Sequence, residues 1–397
     1  MTIDYESQRQ WHSETQAVRG ATTRSQFDET SEALFLSSGY VYKSAEEAES
    51  AFNQELERFV YSRFGNPTVA MFENRLALLE GAEECRAMGS GMAAVFAALA
   101  SHLSSGDRLV ASRALFGSCQ YICEDLLPRY GIITEIVDGT NLDEWKTALS
   151  KPAKAVFLES PSNPGLEIID ITAVCDLAHN AGATVFVDNV FATPELQKPL
   201  ELGADVIIYS ATKHIDGQGR CLGGAVLGTK SFIEDTVSPF IRHTGPALSP
   251  FNAWVLLKGL ETLSLRVSRH CDSAAKIATH LSAHSDINKL LYPELASHPQ
   301  HKLAMQQMKR GGTVIAFELD GGKERAFRFL NNLKVIDISN NLGDAKSLIC
   351  HPATTTHQRL TDENKVKVGI TPGFIRLSVG LESVDDLIKD LDLALSA

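Results

Sequence analysis

The stretch Ala204-Asp205-Val206-Ile207-Ile208-Tyr209-Ser210-Ala211-Thr212-Lys213 passes from four apolar residues, through two hydroxyls, to a primary amine. A short apolar run bounded by small polar residues reads as a strand buried on both faces. Upstream, Thr184-Val185-Phe186-Val187 reads the same way and ends in Asp188. A carboxylate and an amine thus emerge together at strand ends, where open α/β sheets place their ligand contacts. Taken singly, Lys213 reads equally as a solvated loop lysine, and Asp188 as a helix cap.

Further strands are predicted at Arg108–Ala111, Ile132–Val137 and Ala155–Leu158, with helices between the strands near 91–103, 118–130, 141–149, 170–181 and 195–202. Such βαβ alternation implies an α/β fold, a mainly parallel sheet sandwiched by helices. Gly223–Gly228 adds a strand by a short return. Asn66-Pro67 predicts an N-cap with proline at the first helical position, Phe72, Leu76 and Leu79 form the buried stripe, and Gly81 ends that helix. Ser249-Pro250 opens a long helical stretch towards Leu281. A second domain follows, with strands at Val314–Leu319, Leu333–Ile338 and Phe374–Val379 and a closing helix from Ser383. Residues 1–62 are polar, with a helical patch over 45–60 where Ala48, Phe52, Leu56 and Phe59 recur; they read as an arm. The expected division is an arm over 1–62, a main domain over 63–256 and a smaller C-terminal α/β domain over 257–397.

Bulk composition excludes several classes. Acidic residues outnumber basic ones 49 to 37, giving a net charge of -12, and no basic block could track a phosphate backbone, which argues against nucleic acid. Seven scattered cysteines without a C-x-x-C pair read as a reducing compartment, and twelve histidines show no metal-ligand spacing. The polar N-terminus lacks a signal-peptide pattern, and the longest apolar run, around Met92–Ala100, falls far below the roughly 20 residues of a membrane span. A cytoplasmic protein acting on small molecules is expected, with neither membrane nor nucleic acid as partner.

Four weaker features accompany Lys213. Gly89-Ser90-Gly91-Met92 stands at a helix start, where free first-turn amides could cradle a phosphate or simply make a turn. Asn163 sits between Pro161 and Pro164 on a loop leaving a strand, either a ligand contact or an ordinary proline turn. Arg376, inside Phe374-Ile375-Arg376-Leu377-Ser378, is either an edge residue or a buried carboxylate clamp. Gly217-Gln218-Gly219 has the wrong spacing for a dinucleotide fingerprint, and neither a nucleophile elbow nor a Walker sequence is present. An amine to hold an aldehyde, an acid for a ring nitrogen and donors for a phosphate are what pyridoxal 5'-phosphate requires.

With Tyr61-Ser62-Arg63-Phe64-Gly65-Asn66-Pro67-Thr68, these segments make the chain resemble the Cys/Met-metabolism pyridoxal phosphate enzymes of the cystathionine synthase and lyase type. The resemblance runs from about residue 20 to the C-terminus. It implies the fold type I architecture with a seven-stranded sheet, and covalent attachment of pyridoxal phosphate to Lys213, the catalytic residue. Asp188 would pair with the pyridine nitrogen, while Ser210, Thr212 and the Gly91 and Met92 amides hold the phosphate. Asn163 would lie near the phenolic oxygen, and Arg376 would take the substrate α-carboxylate. Tyr61 and Arg63 would reach the phosphate of a neighbouring subunit in a homotetramer built as a dimer of dimers.

Two departures stand out. Phe116, in Leu115-Phe116-Gly117-Ser118, replaces the tyrosine that many members stack on the cofactor, keeping the ring and losing the hydroxyl. Asn341, expected at the substrate, replaces a serine common in lyases. Together with Asp216–Arg220 and His351–Leu360, these departures resemble the O-succinylhomoserine sulfhydrylase subgroup. That implies γ-replacement of succinate by sulfide in methionine biosynthesis, with cystathionine γ-synthase, O-acetylhomoserine sulfhydrylase and methionine γ-lyase as rivals. The succinyl carboxylate asks for a cation, for which Arg220 and Arg113 are candidates.

Overall fold

The structure, a computed structural model, describes residues 5–397. Seven strands form the larger sheet: β1 (Glu84–Met88), β2 (Arg108–Ser112), β3 (Ile133–Val137), β4 (Ala155–Glu159), β5 (Thr184–Asp188), β6 (Val206–Ser210) and β7 (Gly224–Gly228). Their order is β1-β7-β6-β5-β4-β2-β3, and only β7 runs against the others. The alternation of each strand feeds two cores. Val156, Leu158, Val185, Val187 and Ile207 enter one apolar cluster, whereas Phe157, Phe186 and Ile208 enter the cluster on the opposite face. Burial on both faces explains why these strands read as continuous apolar runs.

A second sheet, in the order β10-β11-β12-β9-β8, contains β8 (Ile287–Leu291), β9 (Val314–Leu319), β10 (Asp337–Ile338), β11 (Leu348–Cys350) and β12 (Phe374–Ser378). One helix, Leu263–Leu281, joins the two bodies: Leu263 and Val267 enter the core of the large sheet, and Ala274, Ile277 and Leu281 enter that of the small one. Among the described residues no helix is long and apolar enough to cross a membrane.

Local chemistry accounts for the boundaries. Asn66 accepts from the amides of Thr68 and Val69, Pro67 opens the helix Pro67–Glu80, and Gly81 closes it at φ 86° in the left-handed region. Several expected elements are shorter than the periodicity suggests. The helix expected over 118–130 is an α-turn to Tyr121, a π-turn over Ile122–Leu126 and a 3-10 turn over Leu127–Tyr130, because Pro128 cannot continue the ladder. Pro199 likewise splits the expected 195–202 helix into Thr193–Leu196 and Pro199–Leu202. The stretch from Ser249 to Leu281 is two helices, Pro250–Leu260 and Leu263–Leu281, with the Arg266 guanidinium capping the freed Gly259 carbonyl at 2.8 Å.

The strand expected over Leu333–Ile338 keeps only Asp337 and Ile338, because the Asp390 carboxylate takes the amides of Lys334, Val335 and Ile336. In the arm the helix ends at Phe52, leaving Phe52, Leu56 and Phe59 exposed instead of forming a buried stripe. The helix Ser13–Arg19 and the strands β1, β8 and β11 lack a sequence-level expectation. In β1, Glu84 and Arg86 alternate with Cys85 and Ala87 and pair with each other at 2.7 Å, which masks the strand as a charged loop.

Candidate active site

The strands β4, β5 and β6 end side by side, and β6 runs directly into the turn that carries Lys213. The Gly217 amide donates to the Lys213 carbonyl at 2.8 Å and the Asp216 amide to that of Ala211 at 2.9 Å, so the turn is closed by its own backbone. A cavity of about 200 Å³ opens there, lined by Lys213, Asp188, Ser210, Thr212, Phe116 and the helix start at Gly91 and Met92. Lys213 Nζ donates to Asn341 Oδ1 at 2.7 Å, across the junction between the two sheets. Burial, and then the positive Arg376, pull the Lys213 amine down to about 8.

Opposite the amine, Asp188 is buried and accepts the Val190 amide at 3.1 Å through Oδ1. Burial raises its carboxyl above the usual carboxylate range. Behind it, Asn189 donates to the Tyr209 hydroxyl at 2.6 Å and to the Gln197 carbonyl at 2.9 Å, fixing the turn that follows β5.

At the other end of the cavity, Ser90 caps the helix Gly91–His102 by accepting the Ala93 amide at 3.1 Å. A Cβ on Gly91 would stand 2.5 Å from the Ser210 Cβ, so glycine alone permits this approach of helix start to strand end. The free first-turn amides therefore lie against Ser210. Thr212 closes the site by accepting the Gly223 amide at 3.1 Å.

Arg376 lies on β12, between β11 and β9, and is 1% exposed, so it is not an edge residue. Nη1 donates to Asn163 Oδ1 at 2.9 Å, and Nη2 to the carbonyls of Asn340 and Asn341 at 2.8 and 3.2 Å; Nε has no partner. A buried fork with neutral partners and a spare donor is suited to a carboxylate.

Tyr61 and Arg63 do not join this cavity. Tyr61 is exposed, and Arg63 lies 4.8 Å from the Phe64 ring centroid and donates to the Arg242 carbonyl. Arg220 and Arg113 are also elsewhere, already neutralised: Arg220 by Asp216 at 2.9 Å, Arg113 by Asp138 at 2.5 Å. Several residues of the cavity carried no expected role, among them Glu159 and Asn340. The first was legible, since Val156-Phe157-Leu158-Glu159 repeats the pattern of Val185-Phe186-Val187-Asp188. The second contributes only a backbone carbonyl to Arg376, which no side-chain pattern could reveal.

The donor set fits pyridoxal phosphate: hydroxyls, the amides of a helix start, a buried acid, an amine and an aromatic ring line one cavity. The profile of the Cys/Met metabolism PLP-dependent enzyme family matches residues 14–396. O-succinylhomoserine sulfhydrylase of Mycobacterium tuberculosis is 56% identical over 386 residues, covering 96% of this chain and 95% of that protein. The protein of the same name from Pseudomonas aeruginosa is 46% identical, covering 97% and 95%. A Campylobacter jejuni structure, proposed to be an O-acetylhomoserine (thiol)-lyase and carrying N'-pyridoxyl-lysine-5'-monophosphate, superposes with a TM-score of 0.93 at 34% identity, covering 98% of this chain and 100% of that one. The chain belongs to the Cys/Met metabolism PLP-dependent enzyme family.

Proposed function

We propose that the chain catalyses γ-replacement on O-succinyl-L-homoserine: sulfide forms the new C–S bond at Cγ, the C–O bond breaks, succinate leaves and L-homocysteine results, a step of methionine biosynthesis. The observation that carries this reading is the 56% identity, spread over nearly the whole of both chains, to the Mycobacterium tuberculosis sulfhydrylase.

Lys213 would hold the cofactor covalently, Ser210, Thr212 and the Gly91 and Met92 amides its phosphate, and Asp188 its ring nitrogen. Bound there, pyridoxal phosphate supplies an electron sink for charge developing at the substrate α-carbon. Arg376 receives the α-carboxylate through its unpaired Nε and its fork, while Asn163 keeps the fork from rotating. Once the substrate amine takes its place on the cofactor, the freed Lys213 amine, its pKa drawn down to about 8, would take the Cα proton as general base and return a proton later. Asn341 Oδ1 holds the Lys213 amine at the junction of the two sheets, so the residue expected to touch substrate serves first as the amine's acceptor. Phe116 offers a ring face but no proton, which leaves the proton traffic with Lys213.

Tyr61 and Arg63 stand outside the cavity of their own chain, and the arm over 1–62 exposes Phe27, Leu36, Val41 and Phe52. Both facts support a homotetramer in which the arm serves a neighbour's cofactor. To this reading belong a cofactor domain over 63–256, a C-terminal domain over 257–397 and a cytoplasmic location. Product analysis of the loaded enzyme tests the reaction, with O-succinyl- or O-acetyl-homoserine, each given sulfide or cysteine. Homocysteine from the succinyl ester and sulfide is expected. Preferential cystathionine, preference for the acetyl ester, or 2-oxobutanoate as main product would reassign it to the synthase, the acetyl-ester sulfhydrylase or the lyase.

A further inference from the structure

Two adjacent strands end in carboxylates, and only Asp188 has a place in the reaction above. Glu159 closes β4 as the register partner of Asp188, is 3% exposed and lines the same cavity. Burial and the neighbouring Asp188 raise its carboxyl far above the usual range. Two backbone hydrogen bonds offset part of that cost. Oε2 accepts the Phe116 amide at 2.8 Å, and Oε1 accepts the Asn163 amide at 2.8 Å. The two amides belong to separate loops, one carrying the ring wall and the other carrying the side chain that holds Arg376 Nη1.

We propose that Glu159 is a positioning residue, one carboxyl group whose two oxygens tie the Phe116 ring and the Asn163–Arg376 pair to the end of β4, keeping cofactor face and substrate carboxylate in a single register. The inference rests on the roles given above to Phe116 and Arg376. Each oxygen serves one loop, so both acceptors are needed. Glutamine keeps the size but turns one oxygen into a donor facing an N–H, which pushes one loop away. Aspartate keeps both acceptors and withdraws them by one methylene, about 1.5 Å.

Holoenzymes carrying Glu159→Gln and Glu159→Asp are compared with wild type for visible circular dichroism of the bound cofactor, and for KM and kcat with O-succinyl-homoserine and sulfide. The expected result for Glu159→Gln is a visible signal at least halved and a KM raised about tenfold, the size of one lost hydrogen bond. A residue that only stabilises the fold would lower the melting temperature and leave both readouts at wild-type values per folded molecule, which overturns the proposal. Phe116→Ala separates the two levels: if it leaves the visible signal unchanged, the ring-stacking role is wrong and the coupling falls with it. Should neither Glu159 variant fold, hydrogen exchange in the wild-type holoenzyme decides. Comparable protection of the Phe116 and Asn163 amides is expected, and rates differing more than about 100-fold would overturn it.

Discussion

Two arginines are almost wholly excluded from solvent, and they are partnered in opposite ways. Arg75, in the helix beneath the arm, is 0% exposed and meets the Glu32 carboxylate at 2.5 Å, donates also to the Gly20 carbonyl and the Thr22 hydroxyl, and has the Glu261 carboxylate 3.7 Å from Nη1. Arg376, at the junction of the two sheets, is 1% exposed and meets only neutral oxygens. A buried charge without a directly bonded counter-ion is costly, and the fold tolerates it only when something else offsets the cost; for Arg376 the nearest acid in the cavity, Glu159, acts through space and not through a hydrogen bond. The first arginine closes a structural joint. The second shares its cavity with Lys213, Asp188 and Glu159 and keeps an unpaired donor, which under the proposed function is left for the carboxylate of the substrate.

The predictions follow from that contrast. Lys213→Ala should lower turnover by about 10⁴-fold or more, the upper range for losing a positioned base, while the melting temperature holds or rises because an uncompensated amine is gone. Steady-state rates and calorimetry on the same preparation check both halves. Arg376→Lys keeps charge but loses the planar fork, so KM for the amino-acid ester should rise about 10- to 100-fold with a smaller change in kcat; an unchanged KM would break the comparison at its functional end.

At the structural end, Glu32→Ala leaves Arg75 without its close carboxylate and should destabilise by about 3 kcal/mol in denaturant unfolding, with turnover per folded molecule unaltered. The same pair gives a pH signature. Burial raises the Glu32 carboxyl, but the hydrogen bonds from Lys258 and Arg75 outweigh it and hold the pKa at about 2, against an ordinary value of 4.5. A depressed folded value means that the contribution is complete above about 4.5 and is lost as pH falls from there towards 2. Wild type should therefore lose more stability than Glu32→Gln over that window. The smallest effect concerns the amine: in cofactor-free protein, acylation of Lys213 should reach half its maximal rate near pH 8, where an exposed lysine would need about two units more.

Legibility in the sequence tracks the kind of interaction that builds each part. Strands buried on both faces, such as Val206–Ser210, announce themselves because hydrophobicity alone makes them. The helix at Pro67 was equally plain, since its cap and stop are local. Elements fixed by distant polar groups were not: Asp390 erases most of an apolar strand 54 to 56 residues away, and the guanidinium of Arg266 lies over the break between two helices. In the site, Lys213 and Asp188 could be read from strand ends, whereas the identities of Ser210, Thr212, Phe116 and Asn341 as site residues came from family resemblance. The Lys213–Asn341 bond, spanning 128 residues, and the shared grip of Glu159 on two loops belong to tertiary structure alone.

The most direct test of the account is to reduce the loaded enzyme with borohydride, digest it and locate the pyridoxyl group by peptide mass. The account predicts the modification on the peptide containing Lys213, at close to one per chain and absent from Lys213→Ala. A pyridoxyl group on any other lysine, or its persistence in that variant, would contradict it.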